Sequence, residues 1–191
     1  MSPRTKEQFE EIRKESKDKI LKVAVVLFAE KGYASTSISQ ISKNAGISKG
    51  LIYNYFESKE DLLRQMILGL FEEMMPRFDL KDIKKLTREK FIELTDVSLD
   101  IVYENPHRWR LYTSIFTQPG IMDLFKEDLL KLTMPFIPLF IEYFKEKGHK
   151  NPEAMLRYYS ATLDGIQLHI LMDIENFPLQ DVRELLINQF A

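Results

Sequence analysis

Apolar residues recur at intervals of three and four along almost the whole chain, which is the period of an α-helix with one buried face. Alternation of apolar and polar residues, the pattern of a half-buried strand, nowhere persists beyond a few residues. Hydrophobic residues make up 45% of the sequence, which is enough to bury a core. The pattern therefore predicts an all-α protein.

Capping and turn residues divide the first half of the chain into separate helices. Thr5 and Gln8 have the spacing of a capping box, so the first helix begins as early as Thr5. Gly32 ends it, because glycine readily adopts the backbone conformation that follows a helix. The same signals predict helices over residues 38–45, from 48 to 53 or 54, and from 58 to 74 or 75, where Pro76 stops the last one.

Proline and glycine divide the second half of the chain in the same way. Residues 77–85 are predicted to join the two halves. Pro135 and Pro138 must kink or split the long helical segment over residues 121–147. The remaining helices are predicted over residues 87–104, 106–117, 152–174 and 179–190.

Two of the predicted helices are short, and Gly46 supplies a tight turn between them. The second begins at Ser48, a good capping residue, and Ile52 and Phe56 are expected to face inward. Two such helices form a helix-turn-helix, whose second helix fits the major groove of DNA. Leu51 can belong either to the core or to the outer face.

The outer face of this second helix carries side chains that suit a DNA duplex. Lys49 can reach a guanine edge or a phosphate, and Gly50 lets backbone come close to DNA. Tyr53 and Tyr55 can donate their hydroxyls to phosphate oxygens. Each such residue can also serve only as a cap, a packing contact or a solvated charge. The residues predicted to contact DNA are Thr36, Ser37, Lys43, Ser48, Lys49, Gly50, Tyr53, Asn54, Tyr55 and Lys59.

The segment over residues 32–63 reads G-Y-A-S-T-S-I-S-Q-I-S-K-N-A-G-I-S-K-G-L-I-Y-N-Y-F-E-S-K-E-D-L-L. It strongly resembles the amino-terminal signature of the TetR family of transcription regulators, and the resemblance extends from Ile20 to Leu63. Leu51 stands where the family commonly has threonine. The resemblance implies DNA-contacting positions for Thr36, Ser37, Lys49, Gly50, Tyr53, Tyr55 and Lys59.

The resemblance also implies how the whole chain is organised. Residues 1–60 are expected to form a three-helix DNA-binding head, and residues 61–191 a regulatory body of about six helices that binds a ligand and dimerises. Such a homodimer is a sequence-specific repressor that a small apolar or amphipathic ligand releases from a palindromic operator. The alternative is a DNA-bound adaptor or activator that a protein partner regulates.

Charge is unevenly distributed, although the net charge is only −2. Residues 1–59 contain eleven Lys and Arg against seven Asp and Glu, a net charge of +4. Residues 60–191 contain sixteen against twenty-two, a net charge of −6. A basic head on an acidic body is expected where only the head meets phosphate.

Large side chains in the second half of the chain can either line a ligand cavity or fill a core. Helical spacing alone does not separate these two interpretations. The family resemblance implies a ligand cavity among these helices, and the residues predicted to line it are Trp109, Tyr112, Phe116, Met134 and Tyr159. The penultimate helix resembles the family's dimerisation helix, and the residues predicted at a dimer interface are Ala161, Gly165, Leu168, Leu185 and Leu186.

Several classes of protein are disfavoured by what the sequence lacks. It has no cysteine, which excludes disulfides and thiolate metal sites. Asp164 and His169 are five residues apart without a second histidine, so a packed histidine is favoured over a metal ligand. No nucleophile–base pair or glycine-rich phosphate loop occurs, so neither an enzyme nor a cofactor is expected. The polar first residues and the absence of a long apolar run indicate a cytoplasmic protein without a membrane span.

Overall fold

The computed structural model describes residues 5–191, and within this range the chain forms ten α-helices and no strand. The all-α prediction from the hydrophobic pattern is confirmed. In chain order the helices are α1 (Lys6–Lys31), α2 (Ile38–Ala45), α3 (Lys49–Tyr53), α4 (Lys59–Phe78), α5 (Arg88–Glu104), α6 (Pro106–Phe116), α7 (Ile121–Thr133), α8 (Ile137–Glu146), α9 (Pro152–Met172) and α10 (Leu179–Phe190).

Side-chain caps start the first two helices at the predicted residues. At α1 the Thr5 N–H donates to Gln8 Oε1 over 3.0 Å, and the Gln8 N–H donates to Thr5 Oγ1 over 3.3 Å. At α2 the Ser37 N–H donates to Gln40 Oε1 over 2.7 Å, and the Gln40 N–H donates to Ser37 Oγ over 3.2 Å. Both pairs are capping boxes, which satisfy N–H groups that have no partner inside the helix.

Helix α4 differs from the prediction, because it continues through Pro76 and ends at Phe78. Proline lacks the N–H that would bond to the carbonyl of Glu72, four residues earlier. Glu72 and Pro76 are both exposed, so water can reach that carbonyl and the helix tolerates the loss. Asp79 then adopts a left-handed φ of 43°, and the helix ends.

The predicted split of the segment over residues 121–147 is confirmed. Helix α7 ends at Thr133 and α8 begins at Ile137, so Pro135 lies between them. Pro138 lies in the first turn of α8, where the N–H groups have no helical partner and proline costs little. A further kink lies inside α7 at Phe125, whose φ of −134° is not helical.

The chain divides into two compact units. The first contains the residues up to Leu70 together with Leu111–Phe125, and the second contains Phe71–Arg110 together with Lys126–Ala191. Helices α4, α6 and α7 each contribute residues to both units. The first unit extends past residue 60, and the functional division into residues 1–60 and 61–191 stays a prediction.

The core of the first unit holds the two short helices in place. Helix α2 packs against both α1 and α3, and the inward positions predicted for Ile52 and Phe56 are confirmed by their burial. This burial removes apolar area from water and leaves the other side of α3 outside the core. The buried apolar residues here include Ile20, Ala24, Phe28, Ile38, Ile41, Ala45, Ile52, Phe56, Leu62 and Ile67.

The core of the second unit is an aromatic cluster between α5, α8, α9 and α10. The ring of Phe91 stacks on that of Tyr143 with 4.7 Å between centroids, and lies 4.9 Å from that of Tyr159. Phe190 meets Tyr159 edge-on at 5.3 Å. Such pairs add to the stabilisation that burial provides.

No helix within residues 5–191 combines the length and the apolar character that crossing a lipid bilayer requires. The longest is α1, with 26 residues, and charged side chains interrupt it repeatedly.

Candidate nucleic-acid interface and regulatory cavity

Helix α3 is set by a turn and a cap that short-range interactions specify. Gly46 follows α2 with φ 61° and ψ 36°, a left-handed conformation that favours glycine. Ser48 Oγ then accepts a hydrogen bond from the Leu51 N–H over 3.1 Å and starts α3. The chain therefore turns sharply between two capped helices, as a helix-turn-helix requires.

The face of α3 opposite its buried Ile52 is open and polar. Tyr53 is 48% exposed, so about half of this large side chain is open to solvent instead of packing in the core. A Cβ added at Gly50 would meet no atom within 4 Å, so packing inside the chain does not require glycine there. The residues of the predicted DNA contact that are exposed on or beside α3 are Ser48, Lys49, Gly50, Tyr53 and Asn54.

Tyr55 and Leu51 are half-buried, which separates them from the open face. The Arg13 guanidinium lies over the Tyr55 ring, 5.6 Å from its centroid. Leu51 lines a groove between α1 and α3 rather than the core, so its ambiguous position is resolved toward the surface. Ser37 and Lys43, the predicted contacts on α2, are both exposed.

Thr36 departs from its predicted position, because its side chain is buried with 1% exposure. Its hydroxyl lies 2.8 Å from the Gly32 carbonyl oxygen and 3.2 Å from that of Leu27, and it donates to these acceptors. The side chain thus fixes the loop between α1 and α2. Its burial gives no support to a direct contact with DNA by this hydroxyl.

Lys59 was predicted to bind a phosphate, but its ammonium group already donates hydrogen bonds to the loop before α2. Lys59 Nζ donates to the carbonyl oxygens of Tyr33 over 2.7 Å and Thr36 over 2.9 Å. It lies 4.3 Å from the centroid of the Tyr33 ring, within the range of a cation–π contact. Burial lowers the pKa of Lys59 and raises that of Tyr33, to which the charge of Glu60 also contributes.

The second compact unit contains a cavity of about 330 Å³ with an apolar lining. No lining residue is Asp, Glu, Lys, Arg or His, and the polar groups are hydroxyls. A cavity of this volume is within the usual range of small-molecule sites. The lining residues are Phe71, Met74, Met75, Phe78, Leu80, Leu94, Ser98, Leu132, Thr133, Phe136, Ile137, Phe140, Leu156, Tyr159, Ser160 and Leu163.

Of the five residues predicted to line a cavity, Tyr159 lines this one and the other four do not. Trp109 packs against the core of the second unit and donates its indole N–H to the Ile101 carbonyl over 2.9 Å. Tyr112 and Phe116 belong to the first unit, where their rings lie 6.4 Å apart. Met134 is 57% exposed. Helical spacing indicated large side chains but not which helix each one faces.

Tyr159 joins the cavity to a buried polar pair. Its hydroxyl oxygen lies 2.8 Å from Thr95 Oγ1, and Thr95 Oγ1 lies 2.8 Å from the Phe91 carbonyl oxygen. The threonine proton is used on Phe91, so Tyr159 donates to Thr95. Burial raises the pKa of Tyr159 to about 12, so the side chain is a neutral donor at physiological pH.

Helix α9 carries an exposed apolar stripe, at whose first member, Tyr158, the ring lies 5.2 Å from that of Phe190. Tyr158, Ala161, Gly165, Leu168 and Met172 follow one another at spacings of three and four residues. Leu168 is 48% exposed and Met172 is 70% exposed. Four of the five members of the stripe are exposed, and Gly165 is half-buried. Large exposed side chains in such a row are typical of a helix that packs against a partner.

Of two adjacent leucines of α10, one lies at the surface and the other in the core. Leu185 is 68% exposed, as a dimer contact requires. Leu186 is 3% exposed and packs in the core of the second unit, so its burial gives no support to its predicted place in a dimer interface. A single residue step rotates a side chain by about 100° around a helix, which accounts for the difference.

The structure brings no metal-binding cluster together among residues 5–191, since no three His, Cys, Asp or Glu side chains there are placed to hold an ion. Asp164 and His169 are both exposed on α9, five residues apart. Partial burial of its carboxyl group still raises the pKa of Asp164 above its ordinary value.

Three further side chains that sequence reasoning missed hold or flank the helix-turn-helix. Gln118 Oε1 accepts from the Tyr33 N–H over 2.7 Å, and Gln118 Nε2 donates to the Phe28 carbonyl over 2.8 Å. Arg13 lies over Tyr55, as described above, and Lys17 Nζ lies 5.8 Å from the centroid of the Phe56 ring. The four-residue spacing of Arg13 and Lys17 on α1 was the available signal for these two residues, whereas nothing in the sequence marked Gln118.

Residues 20–66 match the family of bacterial regulatory proteins known as the tetR family. The chain is 32% identical over 146 residues to QacR, an HTH-type transcriptional regulator of Staphylococcus aureus, and the match covers 76% of this chain and 77% of QacR. It is 33% identical over 115 residues to YuxN, an uncharacterized HTH-type transcriptional regulator of Bacillus subtilis. That match covers 60% of this chain and only 38% of YuxN, so the chain spans well under half the length of that relative.

The fold is similar to that of solved structures. A protein of Shewanella sp. PV-4 assigned to the tetR family of transcription regulators superposes with a TM-score of 0.74, over 92% of this chain and 95% of that one. The two sequences are 20% identical, so the likeness shows a common fold.

Proposed function

Because the chain belongs to the TetR family of bacterial regulatory proteins, we propose that it is a homodimeric repressor that a small ligand releases from a palindromic DNA operator. It is a helix-turn-helix transcription regulator. The observation that carries the proposal is the open face of α3, where Lys49, Gly50 and Tyr53 are exposed above a buried Ile52. Since bacterial DNA lies in the cytoplasm, we expect such a repressor to act there.

The face of α3 provides both affinity and sequence preference. Lys49 can bond to a guanine edge in the major groove, whereas Tyr53 and Ser48 suit phosphate oxygens. Gly50 keeps that face free of a side chain where the backbone meets the duplex. Ser37 and Lys43 of α2 extend the contact along the backbone, which positions the protein without reading sequence.

The apolar stripe of α9, with Leu185 of α10, is the surface through which two copies pair. Its exposed side chains are large enough to form the centre of an interface, and Ala161 and Gly165 let two helices approach closely. A twofold dimer carries two copies of α3, which must meet half-sites about 34–36 Å apart or a multiple of that spacing. The operator is therefore palindromic.

The ligand is an uncharged, mainly apolar molecule with at most a single polar group, and it occupies the cavity of the second unit. The lining has no ionised side chain to balance a ligand charge, and burying an unpaired charge is costly. Hydroxyl groups of Ser98, Thr133 and Ser160 can orient a single polar group. The helix that begins at Lys59 also supplies Phe71 and Met74 to the cavity, so a ligand that favours a different position of α4 weakens DNA binding.

Selection of bound duplexes from random DNA tests the DNA-binding part of the proposal. We expect palindromic sequences to be enriched, and Lys49→Ala to weaken binding and relax base preference at one position of each half-site. Lys150→Ala removes an equal charge from an exposed position between α8 and α9 and serves as the matched control. Equal affinity and base preference in Lys49→Ala and wild type would show that the assigned face of α3 is wrong.

Thermal denaturation with three probes of equal chain length tests the ligand part. We expect a fatty alcohol to raise Tm and release the selected duplex, and the corresponding alkyl trimethylammonium ion to do neither, because its charge has no partner. The fatty acid should act only below its pKa, when it is neutral. Ser98→Leu, which adds an apolar side chain inside the cavity, should abolish the response and keep DNA binding. If no apolar compound raises Tm or releases the duplex, the result favours the alternative in which a protein partner regulates DNA binding.

A further inference from the structure

The first half of α1 lies beside the recognition helix with two cationic side chains. The guanidinium of Arg13 lies 5.6 Å from the centroid of the Tyr55 ring, and Lys17 Nζ lies 5.8 Å from that of Phe56. Arg13 and Lys17 are four residues apart and share one side of α1. Tyr55 lies two residues beyond the end of α3, so Arg13 stands beside that helix, whereas Lys17 lies over the buried ring of Phe56.

The acidic residues of the same helix lie mainly on its other side. Glu7, Glu11, Glu15 and Asp18 follow at spacings of four, four and three residues and form one stripe. Glu11 and Glu15 are each two residues from Arg13, which is about 200° around the helix. Glu10, three residues before Arg13, is the acidic exception. Most carboxylates of the first half of α1 therefore lie away from the side that carries Arg13, although Lys14 falls within the same stripe.

A groove of about 590 Å³ lies between these two helices. Phe9 and Ile12 line its α1 side and are 58% and 39% exposed, an unusual exposure for residues of their size. Leu51 and Asn54 line its α3 side. The groove therefore combines apolar side chains, which suit a deoxyribose ring, with the Arg13 cation and an amide, which suit a phosphate.

We propose that this groove holds a sugar–phosphate segment of the DNA backbone beside the major groove that α3 enters, and that Arg13 binds one of its phosphates. The proposal rests on the proposed DNA-binding function and extends the contact to α1. The occupant is DNA rather than protein, because Arg13 lines the groove together with Asn54 of the open face of α3, whereas the acidic stripe is turned away. If both sides of α1 had carried charges of the same sign, the charge distribution would not have favoured DNA at this groove.

The salt dependence of DNA affinity tests this contact. The probe is a fluorescein-labelled duplex obtained from the selection above, measured beside a scrambled duplex of equal length at four salt concentrations. Each phosphate contact contributes about 0.9 to the slope of log affinity against log salt, so Arg13→Ala in a dimer should lower the slope by about 1.8. The loss of affinity should be the same factor for both duplexes, since a phosphate carries no sequence information. Arg13→Lys, which keeps the charge, should restore the slope.

Lys22→Ala provides the control, since Lys22 is an exposed cation on the acidic side of the same helix. It should leave the slope unchanged. If wild type binds DNA and Arg13→Ala has the slope of Lys22→Ala, this inference is overturned and the proposed function stands. If Phe9→Ala changes self-association in sedimentation but not DNA affinity, the groove belongs to a protein interface and the inference is again overturned. A wild type that binds no duplex would instead refute the proposed function.

Discussion

Lys59 and Tyr33 are joined twice, because the Lys59 ammonium donates to the Tyr33 carbonyl over 2.7 Å and lies 4.3 Å from the centroid of the Tyr33 ring. The two residues are separated by 26 positions in the chain. The contact ties the first residue of α4 to the loop between α1 and α2. A lysine that was predicted to bind phosphate therefore uses its ammonium group to join two parts of the first compact unit.

Lys59→Met separates these two roles. It keeps the aliphatic stem and removes the donor, so the carbonyls of Tyr33 and Thr36 lose their partner at a cost of about 1 kcal/mol for this half-buried site. We expect a lower urea midpoint and weaker DNA binding with an unchanged salt slope. Lys43→Met, at an exposed position, should keep its stability. A salt slope that falls in Lys59→Met would restore Lys59 to the phosphate-contacting residues.

Gln118 holds the same loop from the other side. Gln118→Leu removes the acceptor for the Tyr33 N–H and the donor for the Phe28 carbonyl, which should lower stability by about 1–2 kcal/mol. The Tyr33 amide should also exchange its hydrogen faster in NMR. Gln180→Leu, an exposed change of the same type, serves as the control. Unchanged exchange at Tyr33 would show that Gln118 does not hold the loop.

The buried pair of Thr95 and Tyr159 predicts an asymmetric response to mutation. Thr95→Val leaves the Tyr159 hydroxyl without its acceptor and should cost about 1–3 kcal/mol. Tyr159→Phe should cost less, because Thr95 still donates to the Phe91 carbonyl. Chemical denaturation of both variants and the double variant measures the coupling. Equal costs would mean that Tyr159 finds another partner in the cavity.

The apolar stripe of α9 predicts the effect of charge on dimerisation. Leu168→Glu should raise the dimer dissociation constant by about 100-fold or more, since each dimer loses two buried leucines worth about 1.5 kcal/mol each. Sedimentation equilibrium measures it. Leu130→Glu changes a similarly exposed leucine of α7 and should leave association unchanged. An equal effect in both variants would place the interface elsewhere.

The ion pair of Glu73 and Arg108 predicts a small, pH-dependent stabilisation. Both carboxylate oxygens of Glu73 lie 2.6 Å from guanidinium nitrogens of Arg108, whose hydrogen bonds and charge hold the pKa of Glu73 below its usual 4.5. A lowered pKa in the folded state stabilises the protein above the unfolded pKa, and the effect is lost as pH falls through the folded value. Both side chains are largely exposed, so Glu73→Gln should cost less than about 1 kcal/mol at pH 7. The difference in urea midpoint between variant and wild type should vanish as pH falls through the lowered pKa of Glu73 in the folded state.

Short-range chemistry made much of the fold predictable. The caps at Thr5, Ser37 and Ser48 each join residues three apart, and the turn at Gly46 depends on one residue's backbone freedom. Helical periodicity then identified Ile52 and Phe56 as inward-facing. The predicted end of α4 was wrong, because the sequence argument overestimated the cost of an exposed proline at position 76.

The sequence by itself determined the helices, the turn and the composition of the exposed face of α3, because each depends on residues a few positions apart. Only the tertiary structure decided that Leu186 is buried while Leu185 is exposed, and that Thr36 and Lys59 hold a loop instead of facing outward. It also decided which aromatic residues line the cavity. These outcomes depend on the rotation of each helix against its neighbours, which long-range packing sets and local spacing leaves open.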